Sequence, residues 1–184
     1  MKVSLFIPCL VDQAAPATAL STARLLRRLG LDVRYDPRQT CCGQALFNAG
    51  FRPEARRLAC RFIRLFADAE VVVAPSGSCV AMVSRHYGEL DLPPVEMALW
   101  ERLRERTFEL SAFLVDRLGL VEVGARFPHP VSYHASCHTL RDLGVREQPL
   151  KLLRSVEGLQ LIDGDWGDEC CGFGGVFSVR YPEL

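Results

Sequence analysis

The chain has 184 residues, 49% of them hydrophobic, with 22 Lys and Arg against 22 Asp and Glu. That balance removes the electrostatic case for nucleic acid or an anionic membrane as partner, and no apolar run approaches the ~18 residues that span a bilayer. The length suits one large domain or two small ones.

Residues 3–7 follow Met1-Lys2 in the manner of a short signal peptide, but Asp12 interrupts before any cleavage region. The stretch is read instead as a first strand, closed by Pro8, in a cytoplasmic protein. Apolar Ala15, Ala19, Ala23, Leu25, Leu26 and Leu29 predict a helix over 14–29, stopped by Gly30. Residues 31–35 read as a second strand. Residues 52–67 read as a helix with Leu58, Phe62, Ile63 and Phe66 on one side. Residues 71–74 are continuously apolar, as in a parallel strand covered on both faces. A loop over 75–78 leads into a helix over 79–87. This alternation predicts an α/β fold with an open parallel sheet. Residues 97–118 read as one or two helices offering Trp100, Leu103, Leu110, Phe113 and Leu114 for burial. The pattern then restarts with a strand over 131–135, a helix over 150–156 and a strand over 159–162. The expected organisation is therefore a tandem duplication of open parallel α/β units. Residues 1–118 form the first unit with a helical extension, 119–130 a linker, and 131–184 a second unit. The second unit stops short of its last strand and helix, as a truncated repeat or a fragment would.

Cysteine carries the chemistry. Cys41-Cys42-Gly43 and Cys170-Cys171-Gly172 each have a lone cysteine upstream, Cys9 at 32 positions and Cys137 at 33. Cys79 follows the predicted strand 71–74. In an open parallel sheet the carboxyl ends of the strands share one edge, so Cys9, Cys41, Cys42 and Cys79 are expected to converge there. Gly43, Gly77 and Gly172 are expected to permit positive φ or close backbone approach to a cofactor. Soft thiolates gathered in this way suit an iron–sulfur cluster, with zinc as the alternative. Structural disulfides would require an oxidising compartment. Cys60, mid-helix among arginines, reads as a small buried hydrophobe. His134 and His138 flank Cys137 and could ligate iron, donate to a cluster sulfur or move a proton; the alternative is a structural histidine. His86 and His129 have no supporting neighbours in sequence.

Four stretches, Phe6-Ile7-Pro8-Cys9, Cys41-Cys42-Gly43-Gln44, Pro75-Ser76-Gly77-Ser78-Cys79 and Cys170-Cys171-Gly172-Phe173-Gly174-Gly175, together with Tyr133-His134 and Ser136-Cys137-His138, resemble the cysteine-rich CCG domain family. That family includes the heterodisulfide reductase B subunit, the iron–sulfur subunits of glycolate and anaerobic glycerol-3-phosphate oxidising enzymes, and lactate-utilization proteins, which this chain resembles most. The resemblance implies an iron–sulfur electron-transfer component of a multi-protein complex oxidising L-lactate to pyruvate. Its partners would be two other lactate-utilization proteins, one iron–sulfur and one small. Cys9, Cys41, Cys42 and Cys79 would hold one cluster, and Cys137, Cys170 and Cys171 a second, with His134, His138, Gly43 and Gly172 close by. The wider pattern ends each repeat in C-x-x-C, whereas this chain has Met82 at the second position. Four cysteines favour a simple [4Fe-4S] cluster over the five-cysteine site of heterodisulfide reductase. A thiol/disulfide redox subunit and a zinc-stabilised scaffold are the competing functions.

Overall fold

The computed structural model describes residues 1–162 and 169–184. Fifteen of its elements, labelled here in chain order, position the cysteines. Strand β1 (Lys2–Leu5) leads into helices α1 (Cys9–Ala14) and α2 (Pro16–Arg28), and the chain returns as β2 (Asp32–Arg34). The helix expected over 14–29 is α2; the short helix α1 before it was not anticipated, and Pro16, which has no N–H to continue α1, opens α2 instead. Helices α3 (Gln44–Asn48) and α4 (Arg52–Phe66) precede strand β3 (Val71–Ala74) and helix α5 (Gly77–Ala81). A wider π-helical turn, Met82–His86, extends α5. Helix α6 (Pro94–Arg104), strand β4 (Thr107–Glu109) and the single turn α7 (Leu110–Ala112) complete the first unit. Further on lie β5 (Pro130–Ser132), α8 (Glu147–Arg154), β6 (Gln160–Ile162) and α9 (Val176–Arg180).

The expected α/β class holds. The first sheet is parallel throughout, in the order β2-β1-β3-β4, and the second pairs β5 with β6 in parallel. Strand β3 is buried along its whole length because both faces are covered. Its side chains alternate between two cores. Val72 and Ala74 pack with Phe6, Phe62, Ile63 and Trp100. Val71 and Val73 pack with Val3, Leu5, Leu26 and Phe113.

One expectation fails. Residues 97–118 contain β4, not helix alone. Leaving α6, the Arg106 guanidinium donates to the carbonyls of Ala69 at 2.8 Å and Ala67 at 3.1 Å. The Val72 N–H donates to the Arg106 carbonyl at 2.8 Å, and Thr107 pairs with Val72. The open edge of β3 recruits three residues whose own pattern is too short to announce a strand.

At the carboxyl end of β4, the Glu109 side chain caps α7 by accepting from the Ser111 N–H at 2.8 Å and the Ala112 N–H at 3.2 Å. Burial nevertheless holds its carboxyl above the usual range, and the hydrogen bonds only partly oppose that. A raised folded-state pKa means that the protonated form favours the fold. This contribution is complete below about 4.5 and is lost as pH rises through the raised folded value. Glu109→Gln is therefore expected to flatten the stability profile above that point. Glu109→Ala should lose about 1 kcal/mol with the cap. Urea unfolding of the three proteins at pH 5 and pH 8 separates these outcomes.

The segment carrying β5 and β6, called the second unit below, packs on the segment carrying the first sheet, called the first unit. Leu152 of α8 joins the core around Val3 and Phe113. The Gln148 amide donates to Asp116 at 2.7 Å. Among the described residues no helix is long and apolar enough to cross a membrane.

Candidate metal centre

The order β2-β1-β3 makes the crevice between β1 and β3 a topological switch point, where connections leave in opposite directions and open α/β sheets bind ligands. Cys9 follows β1, Cys41 and Cys42 follow β2, and Cys79 lies in α5 after β3. The four expected cysteines do converge. The Cys9 thiol approaches the Cys41 sulfur at 3.4 Å. The Cys42 thiol reaches both Cys41 and Cys79. Cys42 and Cys79 are buried, Cys41 is half-buried and Cys9 is exposed, so the sulfurs run from core to surface.

Two of these thiols are shifted toward ionisation and two away from it. Hydrogen bonding from Cys42, joined by the Gly43 N–H, lowers Cys41 to about 5 despite its burial. Hydrogen bonding from Cys42, with help from Ser76 and Ser78, lowers Cys79 as well. Cys42 is raised by donating to both neighbours and by burial. Burial and the hydrogen bond to Cys41 push Cys9 up to about 11. Cys41 is thus held toward its thiolate form, and the raised thiols of Cys9 and Cys42 must lose their protons when a metal arrives.

Gly43 has φ 89° and Gly172 has φ 69°. This left-handed turn, which glycine adopts without a Cβ penalty, aims the glycine N–H back at a sulfur. The Gly43 N–H donates to Cys41 at 3.3 Å and the Gly172 N–H to Cys170 at 3.4 Å. Both Cys-Cys-Gly turns therefore share one local geometry. Gly77 serves differently. A Cβ there would sit 1.9 Å from Thr139 Oγ1, so the space expected for a cofactor is filled by the second unit.

In the second set, Cys137 and Cys170 are hydrogen-bonded to each other, which raises Cys137 and, with the Gly172 N–H, lowers Cys170. Cys170 and Cys171 are exposed. His134 is exposed. His138 lies between the two units: its Nδ1 is 2.6 Å from Asp142 and its Nε2 is 3.5 Å from the Gln44 amide. Cys60 is half-buried on α4 and packs against the core that also contains Cys42 and Cys79. Met82 is fully buried in the core, so the second position of the C-x-x-C pattern is a packing residue here.

Three residues position the site; Gln39 and Tyr87 carried no signal in the sequence, and Gln44 stood there only as the residue after the first turn. The Ile7 N–H donates to Gln39 Oε1 at 2.6 Å, and the Gln39 amide donates to the Leu5 carbonyl at 3.2 Å, so Gln39 ties the Cys41 loop to the end of β1. The Gln44 amide donates to the Ser78 carbonyl at 3.0 Å and ties the same loop to Cys79. Tyr87, fully buried, donates its hydroxyl to the Cys42 carbonyl at 2.9 Å. Tyr87→Phe leaves that carbonyl without its donor and is expected to cost about 1–2 kcal/mol in urea unfolding with little change in core volume.

The family model for the cysteine-rich domain named CCG matches residues 3–84 and 131–184. The chain belongs to the CCG family. Its relatives include three proteins each named lactate utilization protein A. The protein from Geobacillus kaustophilus is 45% identical over 180 residues, covering 98% of this chain and 75% of the relative. That from Halalkalibacterium halodurans is 45% identical over 184 residues, covering 100% and 75%. That from Bacillus subtilis is 41% identical over 184 residues, covering 100% and 77%. As a CCG chain, this protein has a donor set that fits thiophilic metal chemistry: four sulfurs, all but one at least half-buried, and backbone N–H groups directed at them.

Proposed function

We propose that this chain is an iron–sulfur electron-transfer component of a multi-protein system that oxidises L-lactate to pyruvate. The convergence of Cys9, Cys41, Cys42 and Cys79 at the switch point carries the reading. The relatives' name supplies the pathway. Cys9, Cys41, Cys42 and Cys79 would hold a [4Fe-4S] cluster, which supplies one-electron transfer when bound. The Gly43 N–H would stabilise negative charge on the Cys41 sulfur, and Tyr87 and Gln44 would hold the turn. Exposed Cys9 marks the side on which electrons enter or leave. Cys137, Cys170 and Cys171 would form a second, three-thiolate site, with His134 and His138 nearby. The chain would act in the cytoplasm with two other lactate-utilization proteins, one iron–sulfur and one small. The units 1–118 and 131–184 would be tandem copies joined by 119–130. Their matching Cys-Cys-Gly turns support that reading. A five-cysteine thiol/disulfide site is disfavoured, because Met82 is buried in the core.

One observation favours zinc as a second reading. Four sulfurs around a single ion with bonds of about 2.3 Å lie roughly 3.8 Å apart, and Cys9 and Cys41 are at 3.4 Å. A polynuclear cluster requires them to spread, which exposed Cys9 can accommodate more readily than buried Cys42 or Cys79. Iron and acid-labile sulfide analysis with EPR, on anaerobically purified protein, decides between the readings. About four iron and four sulfide at the first site are expected. Zinc without sulfide would leave the scaffold reading.

A further inference from the structure

Among the described residues, one group of metal-ligating side chains apart from the cysteines joins the two units. We propose that His86, His138 and Asp142 form a thiol-free site for a first-row divalent cation at the seam between them. One donor atom from each lies within 4.8 Å of the others. His138 Nδ1 is 2.6 Å and His86 Nε2 is 3.6 Å from Asp142 Oδ2. Two bonds of about 2.0–2.1 Å to one ion place their donor atoms roughly 3 Å apart, so only small adjustments are needed. Two imidazoles and one carboxylate are the donors that hold zinc or ferrous iron while leaving positions for water.

The surroundings are those of a ligand set, not of a chance encounter. Glu89 lies 2.8 Å from His86 Nδ1 and leaves Nε2 facing Asp142. A carboxylate on the far nitrogen fixes the tautomer and raises the basicity of a metal-ligating histidine. The Phe47 ring lies against the His86 ring at a centroid distance of 5.3 Å and limits its rotation. Arg85 donates to the Asp142 main-chain carbonyl at 3.1 Å, which fixes the end of the turn His138–Asp142 while leaving the carboxylate to the histidines. The charges of Asp142 and Glu89 balance a divalent ion, although Arg52 also approaches Glu89 at 3.7 Å. The side chains of His86, His138 and Asp142 are 27%, 38% and 29% exposed, open enough for an ion to enter. An ion here would clamp the turn after Cys79 to the turn after Cys137. The site stands independently of the cluster reading.

Zinc titration of anaerobically purified full-length chain by calorimetry, with zinc-edge X-ray absorption on the same samples, tests this. One equivalent with a nitrogen–oxygen shell at about 2.0–2.1 Å and no sulfur at about 2.3 Å is expected. His86→Gln and Asp142→Asn should each weaken that equivalent at least tenfold and leave iron and sulfide content unchanged. If the thiol site lacks iron and takes zinc itself, the wild type binds an additional sulfur-coordinated equivalent, and only the nitrogen–oxygen one is lost in the variants. Absence of any nitrogen–oxygen equivalent in the wild type overturns the proposal whatever the variants' stability. Equal affinity in wild type and both variants also overturns it.

Discussion

Cys42→Ser is expected to remove bound metal from the first site almost completely, while Cys60→Ser leaves it intact. Cys42 is the buried centre of the sulfur chain: it contacts Cys41 and Cys79, whereas Cys9 reaches Cys41 from outside. A serine hydroxyl is a harder donor with a higher pKa, and burial raises it further. The loss therefore combines a missing ligand with a buried hydroxyl that resists deprotonation. Cys9→Ser should be milder, since exposed Cys9 can be replaced by solvent. Iron, sulfide and zinc per chain measure all three variants. Equal metal content in Cys42→Ser and wild type would remove Cys42 from the ligand set.

Gly77→Ala should produce the largest stability loss of any glycine-to-alanine change among the described residues. The new Cβ would lie 1.9 Å from Thr139 Oγ1, 2.9 Å from Thr139 Cβ and 3.3 Å from Thr139 Cα. Rotating the threonine relieves only the first of these contacts. The main chain of one unit must move against the other, and overpacking of this kind costs about 1–3 kcal/mol. Because Gly77 opens α5 two residues before Cys79, the same displacement disturbs the sulfur set. A double-mutant cycle with Thr139→Gly isolates the contact: the two losses should be clearly less than additive. Strict additivity would mean that the units do not meet there in solution.

The strands that carry the first cysteines were legible in the sequence for a physical reason. A central parallel strand is buried on both faces, so residues 71–74 have no choice but to be apolar. Loops after such strands share an edge, which placed Cys9, Cys41, Cys42 and Cys79 together before any coordinates. Strand β4 was hidden because Thr107, Phe108 and Glu109 are extended by the neighbouring edge and by Arg106, not by their own periodicity. Gln39 and Tyr87 were equally silent: a polar or aromatic side chain that meets a carbonyl across 34 or 45 residues leaves no local pattern. His86 looked idle for the same reason. Its partner Asp142 lies in the other unit, and only the packing of α5 and its π-helical extension against the turn His138–Asp142 brings them together. Gly77 was read correctly as a place of close approach, but the approaching group is Thr139.

The first sulfur site draws its donors from three separate loops of one sheet. Any ion bound there ties together segments that are far apart in the unfolded chain, so occupancy and folding are thermodynamically linked. At a free metal concentration one hundred times its dissociation constant, that linkage contributes about 2.7 kcal/mol, a substantial part of a small domain's total stability. The melting temperature of this protein should therefore track metal supply, falling in a chelator and rising again on reconstitution. A chain starved of metal at this site would be open to proteases as a partly unfolded polypeptide.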